Sequence, residues 1–244
     1  MRLMISTAIL ALSMGLAQAA DMTSAEKDAF GAQVREYLLA HPEVLVDAMN
    51  ALQARQDAAA AQQDQQLLVT YKTELFADPN SYVGGNPDGD ITIVEFTDYR
   101  CTYCRKAFAD VEELVKSDGN IRFVVKEYPI LGEESVVSTR FAVAVLKLHG
   151  GDAYKAAHDG LIALRGAPDA ETLARLAVAL GLDPAPILTR MTAPEVDAVI
   201  IANQDLGQKM QITGTPTFVV GGQMLRGYVP LEQMQQIVAS ERAG

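Results

Sequence analysis

Apolar residues recur at helical spacing through the first part of the chain. Between residues 23 and 40 the helical positions are Phe30, Val34, Tyr37 and Leu38. Thr23 or Ser24 is suited to cap this helix, and His41-Pro42 ends it. A second stripe follows Pro42, and neither glycine nor proline occurs between residues 43 and 76. The pattern therefore predicts a second, continuous helix over 43–76.

The periodicity changes after the turn-rich segment 78–90. Residues 91–96, ITIVEF, are typical of a buried strand, 101–117 of a helix and 121–128 of a second strand. This order predicts a βαβ unit with parallel strands.

Helical patterns then dominate up to about residue 210. Two short strands around Gly221-Gly222 and a helix from Pro230 close the chain. The order predicts an α/β protein with a thioredoxin-like fold, a helical subdomain inserted at about 130–210, and an N-terminal helical extension.

The first residues have the composition of a secretory signal peptide. Arg2 precedes an apolar run, and Ala17-Gln18-Ala19 forms a small-x-small cleavage site. The run is shorter than the ~18 residues of a membrane span. We therefore predict a signal peptide at 1–19, an N-terminal helical oligomerisation segment at 20–76, a thioredoxin-like domain at 77–244, and export without membrane insertion.

Charge excludes two classes of partner. The 244-residue chain has a formal net charge of −11, which becomes −12 when Arg2 is removed with the signal peptide. An acidic surface without a basic cluster repels nucleic acid and anionic lipid. We expect neither as a main partner.

The N-terminal helices are apolar at their ends and polar in the middle. Such a helix needs a partner surface that covers its apolar residues, and two interpretations are open. It folds back on its own domain, or it packs against copies of itself as a homo-oligomer, for which a trimer is the favoured state.

The only two cysteines are Cys101 and Cys104, at the predicted junction of a strand and a helix. A disulfide between residues three apart closes too short a loop to stabilise the fold. Three histidines and no second CxxC motif leave too few ligands for structural zinc, so no metal and no cofactor are expected. The spacing is that of a redox couple.

The position at a helix start assigns a role to each sulfur. Unpaired backbone N–H groups and the helix dipole favour the thiolate of Cys101, which is therefore the predicted nucleophile. Cys104 lies one turn further, shielded, and is the predicted resolving thiol. Neither Thr102 nor Tyr103 between them supplies a positive charge, although Arg100 and Arg105 flank the motif.

Two further features complete the candidate site. Glu95 lies in a buried strand, where a carboxylate is costly unless it is protonated or paired. It either relays the proton of Cys104 or pairs with a core cation such as Lys126. A cis Thr215-Pro216 bond before a strand would expose the Thr215 backbone for pairing with an extended peptide.

These motifs resemble the DsbA family of periplasmic thiol:disulfide oxidoreductases. The matching pieces are EFTDYRCTYC, KEYPILG and GTPTF, over residues 78 to 244. The resemblance implies the same roles for Cys101 and Cys104, a substrate loop at Thr215-Pro216, and a buried acid at Glu95. The segment EYLLAHPEVLVDAMNALQARQ resembles the oligomerising segment of the ScsC-like branch, which includes trimeric isomerases.

Three functions are compatible with the sequence. The first is a dithiol-disulfide oxidoreductase that acts on cysteines of secreted proteins and exchanges electrons with a membrane redox partner. Tyr before the second cysteine and Thr before the proline are similar to the isomerase type, so isomerase or reductase activity is favoured over oxidase activity. The alternative is a protein that binds Cu(I) through the two thiolates. A glutathione transferase is disfavoured, because it does not need Cys104.

Overall fold

The computed structural model describes residues 22–243, and the predicted signal peptide lies outside them. The chain divides into two compact units, the first ending at Gln56 and the second beginning at Asp57. The domain boundaries predicted from the sequence remain a prediction.

The first helix, α1 (Ser24–Ala40), begins with a capping box. The Thr23 hydroxyl accepts a hydrogen bond from the Glu26 N–H at 3.3 Å, and the Glu26 carboxylate accepts one from the Thr23 N–H at 2.8 Å. Of the two candidate caps, Thr23 is therefore the one used.

The predicted continuous helix over 43–76 is wrong near its end. Helix α2 (Glu43–Thr70) stops before Tyr71, whose φ of −105° and ψ of 24° lie outside the helical range, and α3 (Lys72–Phe76) follows. Leu68 and Leu75, on either side of the break, are both buried in one apolar cluster against the sheet. Tertiary packing, rather than helix propensity, decides where α2 ends.

A five-stranded mixed sheet forms the centre of the second unit, in the order β1-β3-β2-β4-β5. The strands are β1 (Tyr82–Gly85), β2 (Ile91–Thr97), β3 (Ile121–Glu127), β4 (Thr217–Val220) and β5 (Gln223–Arg226). β2 and β3 are parallel, as the βαβ pattern predicts, whereas every other neighbouring pair is antiparallel.

Strand β1 corrects the interpretation of 78–90 as turns alone. It pairs with β3 at the sheet edge, and Gly85 has a φ of +65°. A Cβ atom at Gly85 would lie 2.4 Å from the backbone oxygen of Ile121, so glycine is what permits this approach. A short strand rich in glycine has little periodicity of its own, which is why the pattern missed it.

Six further helices follow in the second unit. They are α4 (Thr102–Asp118), α5 (Glu133–Ala163), α6 (Ala170–Ala179), α7 (Pro184–Arg190), α8 (Pro194–Lys209) and α9 (Leu231–Ala243). Helices α5 to α8 lie between β3 and β4 in the chain, so the predicted helical insertion and the thioredoxin-like α/β fold are confirmed. Alternate residues of the central strands enter two apolar cores, one on each face of the sheet.

Candidate active site

Cys101 is the residue at which α4 begins. It is the N-cap, with φ −73° and ψ 120°, and its Sγ accepts a hydrogen bond from the Cys104 N–H at 3.4 Å. The side chain of Cys104 points inward from the first turn. Cys101 keeps 6% of its surface exposed and Cys104 only 1%, and both are free thiols. The arrangement makes Cys101 the more accessible of the two sulfurs.

The two thiols differ strongly in acidity. A hydrogen bond from the Cys104 side chain, supported by the backbone N–H groups of Cys104 and Tyr103, lowers the pKa of Cys101 to about 5, against the opposing effect of burial. Burial raises the pKa of Cys104 far above its ordinary value. At neutral pH Cys101 is therefore a thiolate and Cys104 a thiol.

The loop before β4 lies against Cys101. The Thr215-Pro216 peptide bond is cis, and the Cys101 Sγ lies 3.1 Å from the Thr215 backbone oxygen. The buried Thr215 hydroxyl faces the Cys101 sulfur and helps to lower its pKa, and it meets no other hydrogen-bond partner in the part of the chain that the structure describes. The fold thus brings together residues that are 114 positions apart in the sequence.

Glu95 lies on the sheet face that carries α4. It is 5% exposed, and burial, with the nearby Cys101 and Glu112 charges adding to it, raises its pKa to about 8. Within residues 22–243 it forms no ion pair. Lys126 lies in the neighbouring strand with its side chain on the other face, where its Nζ binds Asp78 at 2.7 Å. Lys126 is therefore not the partner of Glu95, and that alternative is wrong.

The flanking arginines bind oxygen atoms of the surrounding loops and helix. Arg100 binds Glu134 at 2.9 Å and donates to the Gly166 oxygen, and Arg105 donates twice to the Tyr99 oxygen. The main causes of the lowered pKa of Cys101 are hydrogen bonds from Cys104, Thr215 and the backbone at the helix start.

Asp98 was not singled out from the sequence. Its buried carboxylate accepts hydrogen bonds from the N–H groups of Arg100, Ile130 and Leu131 at 2.8, 2.9 and 3.1 Å. These bonds tie the turn before Cys101 to the loop after β3. The signal that was available is an aspartate directly after a buried strand, in the TDYRC stretch.

The surface around Cys101 carries apolar side chains. Tyr103 is 60% exposed, Ile130 36% and Leu131 53%. Because Asp98 anchors the loop of Ile130 and Leu131, these side chains are held on the same loop system as the nucleophile. Such a surface is suited to contact a polypeptide segment.

The first unit presents a different apolar surface. None of the residues 22–56 is buried. Its large exposed apolar side chains are Met22, Phe30, Val34, Tyr37, Leu39, Leu45, Val46, Met49 and Leu52.

Two features are absent from residues 22–243. No group of three or more potential metal ligands occurs among them. None of their helices is both long and apolar enough to cross a membrane.

Two family models match the chain. Residues 92–239 match the DSBA-like thioredoxin domain, and residues 26–59 match the copper resistance protein ScsC N-terminal domain. The first match covers more than half of the chain and contains both cysteines, Glu95, Thr215 and Pro216.

Solved structures of similar fold include two of particular interest. A thioredoxin-like oxidoreductase from Silicibacter pomeroyi DSS-3 is 42% identical, with a TM-score of 0.66, and the match covers 70% of this chain and 98% of that one. BcfH from Salmonella enterica Typhimurium is 29% identical, with a TM-score of 0.74, over 89% of this chain and 96% of that one.

A curated relative is much longer. The Na(+)/H(+) antiporter NhaA 1 of Salinispora arenicola is 31% identical over 172 residues, which are 68% of this chain but 26% of the relative. The chain therefore spans about a quarter of that protein.

Proposed function

Because the chain belongs to the family of DSBA-like thioredoxin domains, we propose that it is an exported thiol:disulfide oxidoreductase acting on cysteines of other secreted proteins. The observation that carries the proposal is the position of Cys101. Its sulfur caps α4, lies 3.1 Å from the Thr215 oxygen, and has Cys104 buried one turn behind it.

The proposed reaction begins at Cys101. Its thiolate attacks a client disulfide, forms a mixed disulfide and releases the other client sulfur as a thiolate. Cys104 then attacks Cys101, which releases the second client thiolate, and the Cys104 proton passes to Glu95. The reverse sequence oxidises a client dithiol. The loop at Thr215 and Pro216 holds the client segment beside Cys101 by backbone pairing.

A matched pair of variants tests this reaction. We expect Cys101→Ser to abolish the acceleration by the protein of insulin reduction with dithiothreitol, so that only the uncatalysed rate remains. We expect Cys104→Ser to form a mixed disulfide with insulin that persists, because the resolving thiol is missing. Insulin reduction by Cys101→Ser at the parent rate would refute the proposal.

The direction of the reaction is proposed as isomerisation or reduction. The support is the Thr102-Tyr103 dipeptide between the sulfurs, together with the match of residues 26–59 to the ScsC N-terminal domain. Trapping the thiols in intact cells with a mass-tagged alkylating reagent tests it. A pair that is mostly reduced supports isomerase or reductase activity, whereas a mostly oxidised pair identifies an oxidase.

Location and assembly are part of the proposal. We place the protein in the periplasm, delivered by a signal peptide at 1–19, and we assign residues 20–76 to homo-oligomerisation as a trimer. The support is the match of residues 26–59 to the ScsC N-terminal domain and the exposed apolar side chains of the first unit. A membrane protein is the proposed redox partner.

The alternative function is Cu(I) binding by the two thiolates. Two points favour it. The family model matched by residues 26–59 is described as that of a copper resistance protein, and Cu(I) prefers sulfur ligands. Copper binding would then be stoichiometric and would survive an alteration of the Thr215-Pro216 loop that blocks disulfide exchange. Titration of both forms with Cu(I) against a colorimetric chelator separates the two functions.

A further inference from the structure

A second buried carboxyl group, Glu127, lies at the end of β3. It is 3% exposed. Its Oε1 accepts hydrogen bonds from the hydroxyls of Tyr99 at 2.6 Å and Tyr154 at 2.7 Å, and its Oε2 accepts one from Thr139 at 3.0 Å. Within the described range it has no lysine or arginine partner. Three hydroxyl donors are arranged to hold a negative charge at this point, because each of them donates to the carboxylate.

The direction of these bonds fixes the state of His158. The Tyr99 hydroxyl has one proton, which it donates to Glu127, so at its 3.0 Å contact with His158 it accepts from Nδ1–H. Burial lowers the pKa of His158 to about 3, so the ring is neutral. The network therefore contains one carboxylate and no buried cation that compensates it.

Glu127 and Glu95 face the same side of the sheet. Thr97 is paired in register with Glu127, and Glu95 precedes Thr97 by two residues on the same strand face. From a strand spacing of about 4.8 Å and a rise of about 3.3 Å per residue, their Cα atoms are about 8 Å apart. The buried Thr97 hydroxyl is the one side-chain hydrogen-bond donor that lowers the pKa of Glu95, and its effect is smaller than the opposing effect of burial.

Like charges at this separation in a buried setting oppose joint ionisation. Burial raises the pKa of both groups, to about 7 for Glu127 and to about 8 for Glu95. The hydroxyl donors favour ionisation of Glu127 first, which leaves the proton on Glu95. Glu95 is also the carboxyl group whose charge raises the pKa of Cys104.

Other titratable or charged groups face this network. From the strands and the loop after β2 they are Tyr82, Asp98 and Tyr99, from α4 they are Cys101, Cys104 and Glu112, and from α5 they are Tyr154, Lys155 and His158. Lys155, the one cation in this set, already binds Glu112 and Asp159 at 3.0 and 2.7 Å.

We propose that Glu127 is a positioning residue for thiol exchange, whose charge, held by three hydroxyls, keeps a proton on Glu95 for exchange with Cys104. The inference rests on the proposed function. In the resolving step, the Cys104 sulfur forms a bond to Cys101, the bond from Cys101 to the client sulfur breaks, and the client leaves as a thiolate. The proton of Cys104 passes to the ionised fraction of Glu95, which the Glu127 charge makes more basic.

The experiment uses 5,5′-dithiobis(2-nitrobenzoate) as the oxidant. The Cys101 thiolate releases one coloured thiolate and forms a mixed disulfide, and Cys104 then releases the second. Stopped-flow absorbance separates the two phases, and the second phase is recorded against pH. In the wild type its midpoint reports the titration of Glu95.

The matched variants are Glu127→Gln, which removes the charge, and Glu127→Asp, which keeps it. We expect the midpoint of the second phase to move down by about one pH unit in Glu127→Gln and to stay within a few tenths of a unit in Glu127→Asp. An unchanged midpoint in Glu127→Gln, or an equal shift in both variants, would overturn the inference. Circular dichroism confirms folding.

Thr139→Val keeps the test decisive if Glu127→Gln does not fold. The substitution removes one hydrogen-bond donor, which raises the pKa of Glu127 and leaves it uncharged over a wider range of pH. The pH midpoint of the second phase therefore moves in the same direction as in Glu127→Gln, but by a smaller amount. No movement in Thr139→Val contradicts the inference. Failure of the proposed function has a different signature, since the parent protein would then not accelerate insulin reduction, whatever the pH midpoint of the second phase.

Discussion

The Sγ atom of Cys101 lies 3.1 Å from the backbone oxygen of Thr215. The first residue caps a helix and the second precedes an antiparallel strand, and β2 and β4 are direct neighbours in the sheet. In the proposed function, a client cysteine held at the Thr215 backbone would therefore lie next to Cys101. The proposal uses this relationship to combine the chemistry of the thiolate with recognition of an extended chain.

The first prediction concerns the source of the Cys101 acidity. Its pKa of about 5 depends most on the hydrogen bond from Cys104. We expect Cys104→Ala to raise the pKa of Cys101, and Cys104→Ser, which keeps a donor, to raise it less. The ultraviolet absorbance of the thiolate, followed against pH, measures both. Equal values in the two variants would show that the helix start alone sets the acidity.

The second prediction concerns stability against pH. The folded pKa of Glu95, about 8, lies above its ordinary value of 4.5. The folded state therefore holds the proton more strongly, and stability falls as pH rises from about 4.5 to about 8. The substitution Glu95→Gln should remove this loss of stability at higher pH.

We expect Glu95→Gln to be more stable than the parent by roughly 3 kcal/mol at pH 8 and about equal at pH 4. Urea unfolding at several pH values measures the difference. Glu113→Gln, an exposed position on α4, is the control and should leave the pH dependence as it is. A gain that is independent of pH would contradict the assignment of a buried, protonated Glu95.

The third prediction concerns the ion pair of Lys126 and Asp78. The lysine side chain is 1% exposed and its Nζ lies 2.7 Å from the carboxylate. Asp78→Asn leaves a buried cation without its counter-charge and should cost about 3–5 kcal/mol of unfolding free energy. The double variant with Lys126→Met should be more stable than Asp78→Asn alone. Additive costs in a urea double-mutant cycle would show that the pair is not coupled.

The fourth prediction compares two threonines of the same loop. The Thr215 hydroxyl faces the Cys101 sulfur and helps to lower its pKa, whereas the Thr217 hydroxyl donates to the Gly214 oxygen at 2.8 Å. Thr215→Val should raise the pKa of Cys101, and Thr217→Val should leave that pKa as it is while destabilising the fold by about 1 kcal/mol. The thiolate absorbance against pH and thermal unfolding of the two variants measure these effects, and an unchanged pKa of Cys101 in Thr215→Val would contradict the assignment.

The fifth prediction concerns the first unit. Leu45, Met49 and Leu52 are 52%, 71% and 57% exposed and follow helical spacing on α2. If this stripe forms the proposed trimer, replacing all three with glutamate should reduce the mass in light scattering from three chains to one. Val178→Glu, an equally exposed apolar position in the second unit, is the control. A monomeric parent chain would refute the assembly.

Local patterns were enough to predict much of this protein. The change from helical spacing to buried strands predicted the order of elements after residue 90, because each periodicity reflects which face of an element is buried. The CxxC pair at a strand end predicted a helix cap at Cys101, because the position is defined by the sequence neighbours alone. The proline directly before a strand added Thr215 and Pro216 to the predicted site, and the family motifs agree with it.

Tertiary structure decided the partners of the buried charges. The sequence placed Glu95 and Lys126 in the core, but only the strand register and the alternation of faces put Lys126 against Asp78 and Glu95 on the side of Cys104. The hydroxyl network of Glu127 joins a strand, a loop and a long helix, so no single segment encodes it. The edge strand β1 and the end of α2 likewise depend on contacts with distant residues. The periodicity of a sequence shows which residues are buried. Which buried groups pair with one another is decided only when the faces of different strands and helices pack together.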